Sequence, residues 1–171
     1  PRQMSLFGAG WTATSLKYVA QGGAHSVTYY ETAGWRGVME RASGSPLPNQ
    51  FHSLPGAVFP LYHVLADVGE FADGEVVNTL SSHPLRVDGL AVRDGDRRRA
   101  ILANLSPTPQ QVTVKGLGAQ VALHRLDETN AEQAMRQPER FRAQPGERRQ
   151  TRAGKLMLDL LPYGLVRIDE E

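Results

Sequence analysis

The sequence has 171 residues, of which 40% are hydrophobic and 22% charged, and its formal net charge at neutral pH is +1. These are ordinary values for a globular protein, and so small a net charge gives no electrostatic reason to expect binding to nucleic acid or to an anionic membrane. The absence of cysteine excludes disulfides and thiolate metal sites, and no apolar run approaches the roughly 20 residues that span a bilayer.

The first predicted element is a helix that ends at Gln21 and can be capped by Thr12 or Thr14. The glycine pair at 22–23 ends it, because glycine adopts the left-handed conformation without a Cβ clash. Residues 25–30 are then predicted to form a strand, since most of them are β-branched or aromatic. A helix and a strand joined by a short turn are typical of one step of an α/β barrel.

Residues 31–60 are predicted to form a long loop, because four prolines and four glycines interrupt the segment. Pro60 then starts a second helix that ends near Gly69, and proline is favoured in the first turn because its missing N–H has no partner there. His63, on this helix, is expected to pack in the core or to bond a backbone carbonyl.

Seven short strands are predicted after residue 74, where the hydrophobic pattern changes to period two. They are residues 75–81, 85–93, 98–104, 110–115, 120–127, 155–161 and 164–169. The Asp94–Asp96 turn indicates a hairpin, since Asp and Gly tolerate positive φ. Residues 128–152 are expected to form a polar surface excursion with a short helix near 131–136, and Arg97 and Arg99 are expected to lie on a solvated strand face.

The predicted fold class is therefore mainly β: an antiparallel β-sandwich preceded by the last helix-strand-helix segment of a (β/α)8 barrel. The predicted domains are residues 1–73, an incomplete barrel segment, and residues 74–171, the sandwich. Because no other barrel strands precede this segment and the chain starts at Pro1 without methionine, we expect a C-terminal fragment of a larger enzyme. A cytoplasmic location is expected, and a signal peptide upstream of Pro1 would change that expectation.

Glu31 is the leading candidate for a catalytic residue. It follows the predicted strand at its carboxyl end, which is where α/β barrels place catalytic groups. A carboxylate there can act as general base, general acid or acceptor for a substrate hydroxyl. The alternatives are an ion pair with Arg36 and a cap of the loop.

Four further residues are candidates for substrate binding: Tyr30, Trp35, Arg36 and His52. Trp35 offers a flat apolar face that suits a sugar ring, and Arg36 can hold a carboxylate in bidentate fashion. Trp35 could equally anchor the loop, with Arg36 pairing Glu31 or Glu40. No two histidines have the short spacing of a zinc motif, and the sequence contains no phosphate-loop or dinucleotide fingerprint. Neither a metal nor a cofactor is therefore expected.

The order of these elements resembles the carboxyl-terminal end of clan A glycoside hydrolases, in which the eighth barrel strand and last helix precede a β-sandwich. More closely, GAGWTATSLKYVAQGGAHSVTYYETAGWRGVME and FPLYHVLADVGEF resemble segments of D-apionate lactonases, and LDLLPYGLVRID is similar to the closing strands of their sandwich domains. The resemblance implies that residues 25–30 are the eighth strand. It also implies that the two family glutamates, which follow the fourth and seventh strands, lie upstream of Pro1, so Glu31 does not match the nucleophile.

The expected function is that of the C-terminal part of a sugar-lactone hydrolase, with an inactive fragment and a structural sandwich. Glu31 would then orient water or bind a substrate hydroxyl. Its partners would be the upstream barrel, a small sugar or sugar lactone, and in the isolated chain a second copy bound through the exposed barrel segment. The alternatives are a carbohydrate- or protein-binding sandwich module, which the few aromatics after Phe71 disfavour, and the C-terminal region of a glycoside hydrolase.

Overall fold

The computed structural model describes residues 4–170, and in this range the chain forms four helices and ten strands. The helices are α1 (Leu6–Gln21), α2 (Pro60–Gly69), α3 (Ala131–Arg136) and α4 (Pro138–Arg142). The strands are β1 (Glu31–Ala33), β2 (Gly37–Met39), β3 (Glu75–Val77), β4 (Val87–Asp94), β5 (Arg97–Asn104), β6 (Gln110–Lys115), β7 (Gln120–Leu126), β8 (Glu147–Gln150), β9 (Lys155–Leu160) and β10 (Leu165–Glu170). Within the described residues no helix is long and apolar enough to cross a membrane.

An antiparallel β-sandwich forms the larger part of the fold, as the sequence predicts. Six strands make a large sheet in the order β3-β4-β5-β10-β7-β8, and β6 and β9 make a small second sheet. Strand β9 is buried at every second residue, so Leu156, Leu158 and Leu160 point at the large sheet, where they pack with Val121 and Val166. This alternation is the period-two pattern of a strand with one solvated face.

The helices cover the opposite face of the large sheet, which gives the molecule three layers. Ala9 and Ala13 of α1 and Phe59 before α2 share one buried cluster with Ile101 and Ala103 of β5. The small residues let α1 lie close to the sheet: a Cβ added at Gly10 would lie 3.1 Å from the Ala103 Cβ. The barrel-like segment and the sandwich therefore share a core.

Helix α1 begins earlier than the sequence predicts. Its N-cap is Ser5, whose side chain accepts from the Gly8 N–H, so Thr12 and Thr14 lie inside the helix rather than at its start. Their hydroxyls donate to the carbonyls of Gly8 and Gly10 one turn back. The prediction failed because the small residues Gly8, Ala9 and Gly10 give no hydrophobic periodicity to mark a helix, although all three are buried in it.

The predicted strand at residues 25–30 is not paired with another strand. Residues 24–28 are exposed, and no described strand provides the hydrogen-bonding edge that a strand needs. The chain instead forms a small parallel ribbon from β1 and β2, in which Glu31 pairs with Gly37. Glycine is required at 37, because a Cβ there would lie 2.8 Å from the Ala33 backbone.

Most of the other predicted elements agree with the structure, although the strand predicted at residues 75–81 is formed only over Glu75–Val77. Helix α2 has the predicted bounds, with Pro60 in its first turn, and β6 spans the predicted residues 110–115. Helix α3 also spans the predicted residues 131–136. Strand β8 and helix α4, within the predicted surface excursion, were missed. All four β8 residues are exposed, so this strand has no hydrophobic alternation to detect.

Candidate functional site

Glu31 begins β1 and Arg36 lies in the turn that joins β1 to β2, and both residues are exposed. The Glu31 N–H donates to the Arg36 carbonyl at 3.0 Å, which fixes the spacing of the two residues through the backbone. The Arg36 guanidinium carbon lies 5.6 Å from the centre of the Trp35 ring. In the described part of the chain no ion pair joins Arg36 to Glu31 or Glu40, so the expected alternative of a salt bridge is not formed.

Trp35 ties this ribbon to the following loop. Its ring meets the Phe51 ring edge-on at 4.2 Å between centroids, so the ribbon contacts the loop at the residue next to His52. His52 is exposed and lines a cleft of about 200 Å³ together with Ser53, Phe59 and Met135. The anchoring contact of Trp35 is therefore present, and its role in substrate binding stays a prediction.

Glu40 holds the loop in place and was not singled out for this role by the sequence. It is 1% exposed, and its carboxylate accepts from the Ser53 hydroxyl at 2.5 Å and from the Arg41 N–H at 2.8 Å. Glu40 is buried because the loop folds back over it and brings Ser53, thirteen residues later, into contact with its carboxylate. No local sequence pattern predicts this contact.

Tyr30 is directed towards α1. Its hydroxyl shares a hydrogen bond of 2.8 Å with the Thr12 hydroxyl, and the neighbouring Tyr29 hydroxyl shares one of 2.7 Å with Ser15. Burial raises the pKa of Tyr30, so the phenol stays neutral. The structure thus brings together Glu31, Trp35, Arg36 and the His52 loop, while the Tyr30 hydroxyl is engaged by the helix.

A second polar region lies on the helix-covered face of the large sheet. Three arginines and three carboxylates form an ion cluster there, composed of Arg99, Arg142, Arg167, Asp67, Glu70 and Asp169. Partial burial alone would raise the pKa of Glu70, but hydrogen bonds from Arg99 and Arg142 hold it below its usual value. Because Arg99 is 7% exposed, the predicted solvated position of this residue is wrong.

The ion cluster borders a cleft of about 260 Å³ between α2, β7, β10 and the segment after α4. His63 lines this cleft and is 3% exposed. Its Nε2 lies 3.1 Å from the Ala134 carbonyl oxygen, which agrees with the predicted bond to a backbone carbonyl. Burial lowers the pKa of His63 and also that of His124, which lines the same cleft, so both rings are neutral near pH 7. Among the described residues no three histidine, aspartate or glutamate side chains are grouped to hold a metal ion.

The fold by itself defines a class of protein: an antiparallel β-sandwich with helices and a small two-stranded ribbon packed on one face of its large sheet. The family profile for the D-apionate lactonase TIM barrel domain matches residues 1–73, and that for its C-terminal immunoglobulin-like domain matches residues 84–168. The chain therefore belongs to the D-apionate lactonase family, to whose C-terminal part it corresponds. No curated protein sequence matches it.

Two glycoside hydrolases of known structure have a similar fold. A family 30 subfamily 8 xylanase, Xyn30A from Clostridium acetobutylicum, superposes with a TM-score of 0.63 at 9% identity, over 96% of this chain and 39% of the xylanase. A family 39 β-xylosidase from Caulobacter crescentus superposes with a TM-score of 0.58 at 16% identity, over 100% of this chain and 41% of the xylosidase. The chain thus spans about two fifths of these proteins, and identities this low show the fold alone.

Proposed function

We propose that the chain is the C-terminal region of a sugar-lactone hydrolase that acts on a D-apionolactone-like substrate. In this proposal the β1–β2 ribbon and the His52 loop form one wall of the substrate site. The observation that carries the proposal is the match of the lactonase barrel profile to residues 1–73, which include every residue of this wall. The exposed side chains of Glu31 and Arg36 on one ribbon support it.

The chemistry of lactone hydrolysis assigns these residues their roles. Water attacks the ring carbonyl, an oxyanion forms, and the C–O bond of the ring breaks as the leaving oxygen takes a proton. The exposed Glu31 carboxylate orients the attacking water or accepts a substrate hydroxyl. Arg36 faces the carboxylate that develops in the product, and Trp35 covers the C–H face of the ring.

The proposal also assigns the sandwich a structural role and expects the isolated chain to be inactive. The family glutamates follow barrel strands four and seven, and the described residues correspond only to the end of such a barrel. The buried Lys17–Asp88 pair, 2.7 Å long, and the shared core hold the barrel end on the large sheet. A domain that only binds sugar needs no such fusion of the two segments.

The test is lactone hydrolysis measured on the 171-residue chain and on the same chain joined to its upstream barrel. The joined protein is expected to open D-apionolactone and the shorter chain is not. In the joined protein Glu31→Gln should lower kcat/KM by about 10- to 100-fold, the effect of losing one hydrogen bond to a charged group. The matched control is Glu139→Gln, an exposed carboxylate on α4, which should leave kcat/KM unchanged.

Each assay can overturn a different part of the proposal. Hydrolysis by the 171-residue chain alone would refute the inactive fragment. Equal kcat/KM for Glu31→Gln and Glu139→Gln would remove Glu31 from the substrate wall. A joined protein that cleaves xylosides but no lactone would assign the chain to the alternative, the C-terminal region of a glycoside hydrolase.

We further propose that the upstream barrel covers an apolar face of α1 formed by Trp11 and Tyr18, which lie two turns apart on the same side of the helix. These side chains are 51% and 53% exposed, a large exposure for aromatic groups on one helix face. In the isolated chain the same face would join two copies. Sedimentation should show a dimer that Trp11→Glu converts to a monomer, whereas a monomeric unsubstituted chain would contradict self-association.

A further inference from the structure

The cleft beside the ion cluster has features that the proposed lactonase site does not use. It holds about 260 Å³ and lies between α2, β7, β10 and the segment after α4. None of the predicted substrate residues lines it. Ligand pockets for drug-sized molecules occupy about 300–1,000 Å³, so this cleft suits a smaller ligand, of the size of a monosaccharide.

Two residues on one face of α2, His63 and Asp67, carry acceptors and line the cleft. His63 Nδ1 is buried without a hydrogen-bond partner, while Nε2 is committed to the Ala134 carbonyl. Asp67 lies one turn later, and both of its close arginine contacts, from Arg142 at 2.7 Å and Arg167 at 2.8 Å, are made to Oδ1. His63 Nδ1 is therefore the acceptor of the cleft that is buried without a donor, and Asp67 Oδ2, to which neither arginine contact is made, is a second acceptor one turn away.

The protonation state of His63 decides what these acceptors can bind. A neutral ring with its proton on Nε2, where it meets the Ala134 carbonyl, presents a lone pair at Nδ1. Burial holds the pKa of this histidine below its ordinary value and therefore favours the neutral form. Nδ1 then requires a hydrogen-bond donor.

The other ligand classes fit this lining less well. A ligand ammonium group would meet three arginines, Arg125, Arg142 and Arg167, against the two lining carboxylates of Asp67 and Glu147. An anion carries no hydrogen for His63 Nδ1, although Arg167 Nε, 2.9 Å from Asp169 Oδ2, is a buried donor without a hydrogen bond. A neutral hydroxyl meets neither obstacle, and the Phe141 ring, 5.0 Å from the His63 ring, offers an apolar face for its carbon skeleton.

We propose that this cleft is a binding site for a small neutral polyol, whose hydroxyls donate to His63 Nδ1 and to Asp67 Oδ2. The site shares no residue with the lactonase wall, so this proposal does not depend on the proposed function and is tested separately. Reaching Nδ1 requires a small displacement of the side chains over it, because this atom is closed to solvent in the unliganded structure.

The test is a titration of the 171-residue chain with xylitol, followed by the ring nitrogen resonances of His63. The expected result is a saturable shift at Nδ1 with a dissociation constant in the millimolar range, and no saturable shift with acetate or methylammonium. His63→Phe should weaken xylitol binding by about tenfold, the effect of one lost hydrogen bond.

A second pair of variants keeps the proposal testable if His63→Phe does not fold. Gln144→Trp changes an exposed residue at the rim of the cleft and should block entry of xylitol, while Gln150→Trp changes an exposed residue of β8 outside it. Loss of binding in Gln144→Trp with full binding in Gln150→Trp would support the site. A resonance that does not shift, equal binding by the two variants, or tighter binding of acetate or methylammonium than of xylitol would overturn it.

Discussion

The ion pair between Lys17 and Asp88 offers a direct test of how the barrel end is attached to the sandwich. Lys17 Nζ lies 2.7 Å from Asp88 Oδ1, and the two side chains are only 3% and 2% exposed. Asp88 also accepts from the Tyr18 hydroxyl and from the Gly89 N–H. Asp88→Asn keeps the shape of the side chain but leaves a buried ammonium group without its counter-charge.

The expected loss follows from that burial. Removing one partner of a buried pair destabilises a protein by about 3–5 kcal/mol, because the remaining charge stays desolvated. The Tyr18 hydroxyl should add little, since its side chain is half exposed and water can replace the carboxylate. A loss of this size is a large part of the roughly 5–15 kcal/mol by which a typical domain is stable.

Urea unfolding of the purified chain measures the effect. Asp88→Asn should lower the free energy of unfolding by about 3–5 kcal/mol without changing the dependence on urea concentration. The matched control is Glu75→Gln, which breaks the ion pair of Glu75 with Arg93, whose side chains are 62% and 46% exposed. That change should alter stability by about 1 kcal/mol or less.

The double variant Lys17→Met with Asp88→Asn removes the stranded charge and should recover most of the loss, because an apolar side chain fits the buried site. The reasoning is refuted if Asp88→Asn and Glu75→Gln lower stability equally, or if the double variant is less stable than Asp88→Asn.

Three more predictions concern stability. Because burial lowers the pKa of His63, the unfolded chain binds more protons than the folded chain below about pH 6.5, so stability should fall as the pH drops from 7 towards 5. Urea unfolding across this range should show a smaller fall for His63→Phe than for the unsubstituted protein. Gly89→Ala places a Cβ 2.4 Å from the Ile101 carbonyl and should destabilise the protein, whereas Gly69→Ala, with open space around it, should not; melting temperatures of the two variants compare them directly. Phe59→Ala should lower the free energy of unfolding by about 3–5 kcal/mol, since the ring is 2% exposed, and a loss below about 1 kcal/mol in urea would contradict its place in the core.

The sequence predicts the sandwich well because its signals are local. The Asp94–Asp96 turn and the period-two runs on either side of it identify β4 and β5 without knowledge of any partner strand. Proline at 60 likewise marks the start of α2, because only the first turn of a helix accepts a residue without an N–H. The lactonase resemblance was also recoverable, since it rests on continuous segments.

The candidate site is only partly predictable for the same reason. Glu31, Trp35 and Arg36 are near in sequence and stay near in the structure. The buried contact of Glu40 with Ser53 depends on a loop that folds back after thirteen residues. His63 and Asp67 lie one turn apart on α2, which the helix period predicts, but the cleft that they line depends on β7 and β10 beneath the helix. No local residue pattern predicts the loop contact or the cleft.

The sequence by itself therefore determined most of the strand and helix pattern after residue 60, apart from α4 and β8, and the family of the chain. Only the tertiary structure determines that residues 25–30 do not form a strand. Their composition is that of a strand, but among the described residues no strand edge is available to pair with them. It also buried Arg99, in a polar run that predicts a solvated face, because Glu70 and Asp169 approach from a helix and a neighbouring strand to neutralise it. Pairing and charge compensation are both properties of partners distant in sequence, so only the folded chain specifies them.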